Sequence, residues 1–336
     1  MKVITCASYY ASGSSAVTDF ISEFDGVKSL TNYEFRFAHD PDGLSELEFN
    51  LVENFNRHNS GHALKRYKKL VDYYGDHLLV RRYEPFFQNK WKELSYKYIE
   101  SLADFKYHSV WQYDYYDRGP WFEFCAKLPD RVLRKTLWRN KPDKQVSVLR
   151  NEIAYASYLT EEQFLECTKK YTDALLAAAN PACSPIIMMD QLLPSSNIRR
   201  HLRYFSNAYV VVVDRDPRDI FLWAKYMAND RIVPHDVDLF CKWFDYTRSS
   251  QQDELNNPQR VKLIRFEDMI YKYEETTRQI VEWCGLDKAA HTKPKMYFNP
   301  DISIKNTCIW VQHSEYQAEA DRIAKRLSKY LYEVQK

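Results

Sequence analysis

No run in this sequence approaches the roughly 18 consecutive apolar residues of a membrane span, so none is expected. Net charge is nearly absent as well: +2 over 336 residues. That balance argues against a nucleic-acid partner and makes any anion site a local one. Cysteine is present as seven single residues, with no C-x-x-C pair and no histidines at zinc spacing. Cys6, Cys125, Cys167, Cys183, Cys241, Cys284 and Cys308 therefore read as reduced thiols, and no metal is expected. Glycine is scarce, seven in all. Nothing matches the G-x-x-x-x-G-K-[ST] phosphate loop: Gly13 stands alone in its stretch and no lysine follows it. The first residues hold one lysine and then enter an apolar run, which is not a signal peptide, so a cytoplasmic protein is expected.

What is present is a foldable composition, 45% hydrophobic and 28% charged, that suits a packed core rather than disorder. The length fits one large α/β domain with insertions, or two domains. Tyrosine is abundant, 26 residues beside 18 Phe and 8 Trp. An amphipathic ring suits faces that bind sugars, although helix packing absorbs many tyrosines too.

The chain is organised around its first two dozen residues. Val3-Ile4-Thr5-Cys6-Ala7 reads as a buried strand, and Ser8 to Ser15 as a small-residue loop. Val17, Phe20, Ile21 and Phe24 then recur at helical spacing. Loop amides, hydroxyls and a helix N-terminus together form a cradle for a phosphate-like anion; an ordinary strand-to-helix turn with a serine cap is the plainer alternative. Further strands are expected over 27–37, 185–190, 208–213 and 261–265, and helices over 160–179, 198–205 and 274–284. Strands alternating with helices imply a doubly wound, mostly parallel sheet. Residues 44–159 read instead as a helical, aromatic-rich insertion within a single domain over 1–336, with an irregular stretch at 107–121 and a short basic helix at 131–140.

Ligands of such sheets bind beyond the carboxyl ends of the strands. Three stretches sit there: Ser8–Ser15, Asp190–Asn197 and Asp214–Asp219. An anion on the first loop, with Arg215 reaching a second anion, would describe a nucleotide charged at both ends of its ribose. A salt bridge from Arg215 to Asp214, Asp216 or Asp219 is the competing reading.

Val211-Val212-Val213-Asp214-Arg215-Asp216-Pro217-Arg218-Asp219 resembles the 3′-phosphate-binding strand and helix of sulfotransferases that use 3′-phosphoadenosine-5′-phosphosulfate (PAPS). Tyr10-Ala11-Ser12-Gly13-Ser14-Ser15-Ala16 resembles that family's 5′-phosphosulfate loop, and Leu263 to Met269 its next segment. Ser303 to Trp310 stands where the family closes a C-terminal loop on the 3′-phosphate, which implicates Lys305, Asn306 and Thr307. The resemblance implies a P-loop-kinase-like α/β fold, PAPS as co-substrate, and transfer of a sulfuryl group to a hydroxyl. Two positions depart from the family pattern. Ala11 replaces a lysine or arginine that neutralises the departing oxygen, and Trp223 replaces a serine of the 3′-phosphate site.

A general base must deprotonate the acceptor. Glu34, in Tyr33-Glu34-Phe35-Arg36-Phe37, resembles the glutamate of the family's carbohydrate branches, and Asp190 at a strand end is the second candidate. Arg36, on the same side as Glu34 in an extended chain, would orient Glu34 or replace the missing cation; a structural Glu34–Arg36 ion pair is the alternative. These readings point to a sugar or glycan hydroxyl as acceptor, in a cleft near Trp111, Tyr113, Tyr115 and Tyr116. The rival functions are a silent nucleotide-binding module, favoured by Ala11 and Trp223, and a nucleotide kinase, disfavoured by the missing Walker lysine.

Overall fold

The computed structural model describes residues 1–77, 80–141 and 143–333. In chain order the described strands are β1 (Lys2–Ser8), β2 (Val27–Glu34), β3 (Asp76–His77), β4 (Val80–Arg81), β5 (Phe105–His108), β6 (Ile153–Ala156), β7 (Ile186–Asp190), β8 (Ala208–Asp214) and β9 (Val261–Arg265). The chain divides into two compact units, one of residues 1–40, 85–89 and 172–336, the other of residues 41–84 and 90–171.

The first unit is an α/β fold around a five-stranded sheet in the order β2-β7-β1-β8-β9. Every pairing in it is parallel. Near-continuous apolar sequence in β1 and β8 is what a strand buried on both faces requires. The period of two sends Ile4, Cys6, Val211 and Val213 into one core layer with Val17, Phe20 and Ile21 of the helix Ser15–Ser22. Ile280, Val281 and Cys284 of the helix Tyr273–Cys284 join the same layer. That helix ends at Gly285, whose left-handed φ of +64° supplies the stop signal. Register aligns the carboxyl ends: Ser8 lies opposite Val213, Glu34 opposite Asp190, and Asp214 opposite Arg265. The loops that leave these ends therefore gather along one edge.

The second unit has an aromatic core. Tyr67, Tyr83, Trp91, Tyr98, Phe164 and Tyr171 are all buried. Tyr98 and Tyr171 stack with centroids 4.3 Å apart. Their hydroxyls are satisfied inside the core: Tyr98 pairs with Thr168 Oγ1 at 2.7 Å, and Tyr171 with Ser95 Oγ at 2.7 Å. Part of the tyrosine surplus is thus core, although Tyr73, Tyr107, Tyr113, Tyr116 and Tyr158 of the same unit are exposed. Several segments differ from the sequence expectation: the strand expected over 27–37 ends at Glu34, the helix expected over 198–205 ends at Leu202, and two others change more. The stretch 107–121 is not irregular throughout, because β5 pairs antiparallel with β6 and a helix follows over Gln112–Tyr116. That pairing joins partners far apart in sequence, so no local periodicity announces it. The basic helix starts earlier, at Pro120–Lys135, because Gly119 and Pro120 give it an N-terminus.

Candidate active site

β1 delivers the chain at Ser8, and the turn into the helix Ser15–Ser22 is made by left-handed residues: Tyr10 (φ +66°), Ala11 (φ +52°) and Gly13 (φ +81°). Gly13 is required twice over. Its φ disfavours any side chain, and a Cβ there would lie 2.5 Å from Cδ2 of Phe266. The folded-in loop buries Ser12 completely, and its hydroxyl finds no hydrogen-bond partner among the described residues.

Residues Ala11, Ser12, Gly13, Ser14, Ser15 and Ala16 line one cavity of about 410 Å³, together with Glu34, Arg215 and Asn306. The sequence-level assignments thus converge here from four separate segments. Asp19, Gln191, Trp223 and Phe266 complete much of the wall. Lys305 is exposed and is not part of that lining. Thr307 is buried, with its hydroxyl tied to Tyr271 at 2.6 Å and to the Ile304 carbonyl at 2.7 Å.

Arg215 is 3% exposed and does not pair with its neighbouring aspartates. Its Nη1 donates to the Ala11 carbonyl at 3.0 Å and its Nη2 to the Asn306 carbonyl, so the guanidinium clamps the 10–15 loop to the 304–306 turn. Nε is buried and finds no hydrogen-bond partner among the described residues. The aspartates are engaged elsewhere. Asp214 receives Arg248 at 2.7 Å, Asp216 receives Arg218 at 2.7 Å, and Asp219 accepts the Cys308 and Ile309 amides at 2.9 and 2.8 Å. Burial opposes the charge on Asp214, yet Arg248 outweighs it and holds the carboxyl below its usual range. Arg248 carries no local sequence signal, lying 34 residues from its partner.

Glu34 and Asp190 face each other at the ends of β2 and β7. Glu34 is half-exposed and lines the cavity. Asp190 sits behind it and outside the lining, its carboxyl pushed up to about 7 by burial and then by the Glu34 charge. Asp19 is raised to about 6, by burial and then by Glu23. Arg36 contacts Glu34 at 3.5 Å and Asp40 at 2.9 Å, and its side chain also hydrogen-bonds Tyr10. It lines a second cavity, of about 300 Å³, that shares Ser8, Tyr10 and Gln191 with the first. Ser195, Ser196, Thr247, Ser249 and Ser250 give that second cavity a hydroxyl-rich wall.

The first cavity offers an anion buried donors, the loop amides and a helix start. Its fixed charge is mixed: among the described residues Arg215 is the lining cation, against Asp19, Glu34 and Asp230. The hydrogen-bonding groups fit an anionic nucleotide, and Arg36 stands outside this lining, in the wall of the second cavity.

Solved structures with a related chain course include sulfotransferase STF9 from Mycobacterium avium, 12% identical, covering 99% of this chain and 77% of that one at a TM-score of 0.38. Sulfotransferase STF1 from Mycobacterium tuberculosis H37Rv is 11% identical, with 98% and 77% covered at 0.37. The sulfotransferase domain from the curacin biosynthetic pathway is 11% identical, with 99% and 98% covered at 0.39. Likenesses this distant say nothing of substrate, and no curated protein matches the sequence. A family model does match: that of the sulfotransferase family, over residues 120–290, half of the chain and inclusive of the Asp214–Asp219 and Leu263–Met269 segments. With that match, the chain whose loop, clamp arginine and strand-end carboxylates have been described belongs to the sulfotransferase family.

Proposed function

We propose that this sulfotransferase moves the sulfuryl group of PAPS to a hydroxyl of a sugar or glycan precursor, with Glu34 as the general base. The observation that carries the reading is the pair of buried donors without partners, Ser12 Oγ and Arg215 Nε, in the residues lining one cavity. A buried polar group lacking a partner costs stability, so its retention beside a helix N-terminus fits a site that hydrogen-bonds an anionic ligand.

The donor, when bound, supplies the sulfuryl group and the leaving nucleotide. The chain supplies orientation and proton handling. Ser12, Ser14, Ser15 and the loop amides hold the 5′ end, while Arg215, with Nε left over as a donor, keeps the loop and the 304–306 turn in one geometry. Arg36 takes the part of the cation absent at Ala11, since Tyr10 and Asp40 hold its guanidinium beside the shared wall of the two cavities. The acceptor occupies the second cavity, whose hydroxyls suit a polyhydroxylated ligand. Glu34 accepts the proton of the attacking hydroxyl, and Asp190, poised at about 7, tunes it from behind.

Calorimetry with adenosine 3′,5′-bisphosphate and with ATP, followed by labelled-sulfate transfer to a glycan panel, tests this. The bisphosphate is expected to bind and ATP not. Glu34→Gln should lower kcat by about 10²–10⁴-fold, the range of positioned proton transfer, and Asp190→Asn by less while moving the pH profile. Absence of bisphosphate binding by the folded protein overturns the proposal; a larger kcat loss in Asp190→Asn than in Glu34→Gln transfers the base to Asp190.

A further inference from the structure

The helix Pro120–Lys135 is inverted relative to an ordinary surface helix. Its buried residue is Ala126, with Phe122 and Leu133 half-covered, while Trp121 is 79% exposed and Phe124, Leu128 and Val132 are each more than 40% exposed. At 100° per residue these exposed side chains, with Cys125, fall within an arc of about 100°. They form one continuous apolar stripe that the chain leaves uncovered. Leu137, 75% exposed, continues it past the helix end.

The charge around the stripe is predominantly positive. Residues 127–144 hold seven lysines and arginines and two aspartates. Arg131, Lys135, Arg139, Lys141 and Lys144 are exposed and make no ion pair with a described carboxylate, in contrast to Lys127 and Arg134, which pair with Glu123 and Asp130. The whole protein carries only +2, so this segment concentrates positive charge that the rest of the chain offsets. The helix contains charged residues along its length, and no described helix is long and apolar enough to cross a membrane.

We propose that this helix is a membrane-surface anchor that lays its Trp121–Val132 stripe into the interface of an anionic lipid bilayer. A convex apolar stripe headed by an exposed tryptophan and flanked by unpaired cations is the pattern of an interfacial helix. The cations meet lipid phosphates while their aliphatic stems lie along the apolar boundary. The inference stands independently of the sulfuryl-transfer reading.

Cosedimentation of the full chain with vesicles tests it, comparing pure phosphatidylcholine with phosphatidylcholine containing about a third phosphatidylglycerol. The protein is expected to pellet with the anionic vesicles, and high salt should weaken binding. Arg131→Glu with Lys135→Glu should lower affinity by at least tenfold, from about fivefold per cation lost at an anionic surface. Trp121→Ser with Leu128→Ser should lower it by at least tenfold through lost apolar burial, with thermal melting and bisphosphate binding unchanged because these side chains face solvent. Failure to pellet with anionic vesicles overturns the proposal, as does equal binding to both vesicle types or insensitivity to the apolar pair. Lipid-free self-association abolished by Trp121→Ser with Leu128→Ser would assign the stripe to a second copy and overturn it too.

Discussion

At the scale of single residues, the 10–15 loop rests on Gly13. Gly13→Ala adds one methyl group at a φ of +81° and within 2.5 Å of the Phe266 ring. The left-handed backbone costs about 1 kcal/mol for alanine, and displacing a packed ring adds about 1–3 kcal/mol. A loss of about 2–4 kcal/mol in denaturant unfolding is therefore expected, together with loss of bisphosphate binding, because Phe266 also walls the cavity. A variant as stable as the parent, with intact binding, would mean that the loop has room the structure does not give it. Arg215 differs in kind from Gly13. As a clamp between two carbonyls it serves loop shape first, so its removal is expected to cost stability and binding together rather than binding alone.

At the scale of elements, the end of β8 is fastened to the helix Val237–Thr247 by Asp214 and Arg248. Arg248 has no exposed side-chain surface, and its guanidinium lies 3.5 Å from the Phe244 ring centroid and 4.3 Å from that of Tyr9. Arg248→Met would leave the Asp214 carboxylate buried without its cation, which costs about 3–5 kcal/mol. Adding Asp214→Asn removes the orphaned charge and should restore more than half of that loss; a double variant no better than the single one would locate the cost in packing instead. This pair also marks the limit of what sequence revealed. Four of the five sheet strands were legible because each is a short apolar run bounded by turn residues, whereas β2, mostly polar, was expected three residues too long; the helix at Glu161–Ala179 was legible because Thr160 and Gln163 form its capping box, at 2.9 and 3.3 Å. That loop residues 11–16, Glu34, Arg215 and Asn306 would come together was legible through family-like spacing, and they line one cavity. Strand register, which sets Glu34 against Asp190, was not, nor was the Arg248 anchor, because both depend on contacts between distant segments. The tyrosine surplus pointed to a binding face, yet in the second unit Tyr67, Tyr98 and Tyr171 turn their hydroxyls inward to partners in the core.

At the scale of the whole molecule, groups buried around the sheet edge make stability depend on pH near neutrality. Asp190 and Asp219 are raised to about 7, chiefly by burial, and Asp19 to about 6, all from an unfolded value of 3.8. A carboxyl raised in the folded state binds more protons there than in the unfolded chain, so its contribution is present at low pH and is lost as pH rises through the folded value. His39 and His201 act oppositely. Burial lowers both to about 4 from 6.5, so the unfolded chain binds more protons between those values and stability rises with pH until about 6.5. Above that, the histidine contribution tapers off while Asp190 and Asp219 are still ionising. The carboxylates win: unfolding free energy is expected to fall by about 1–2 kcal/mol from pH 6 to 8. Urea unfolding at the two pH values measures it directly. Asp190→Asn keeps an acceptor for the Gln191 amide but cannot ionise, so it should remove about 1 kcal/mol of that fall and stabilise the protein more at pH 8 than at pH 6. A parent protein more stable at pH 8 would mean that the strand-end carboxylates ionise together at ordinary values, and Asp190 would then be a fixed charge rather than a proton store behind Glu34.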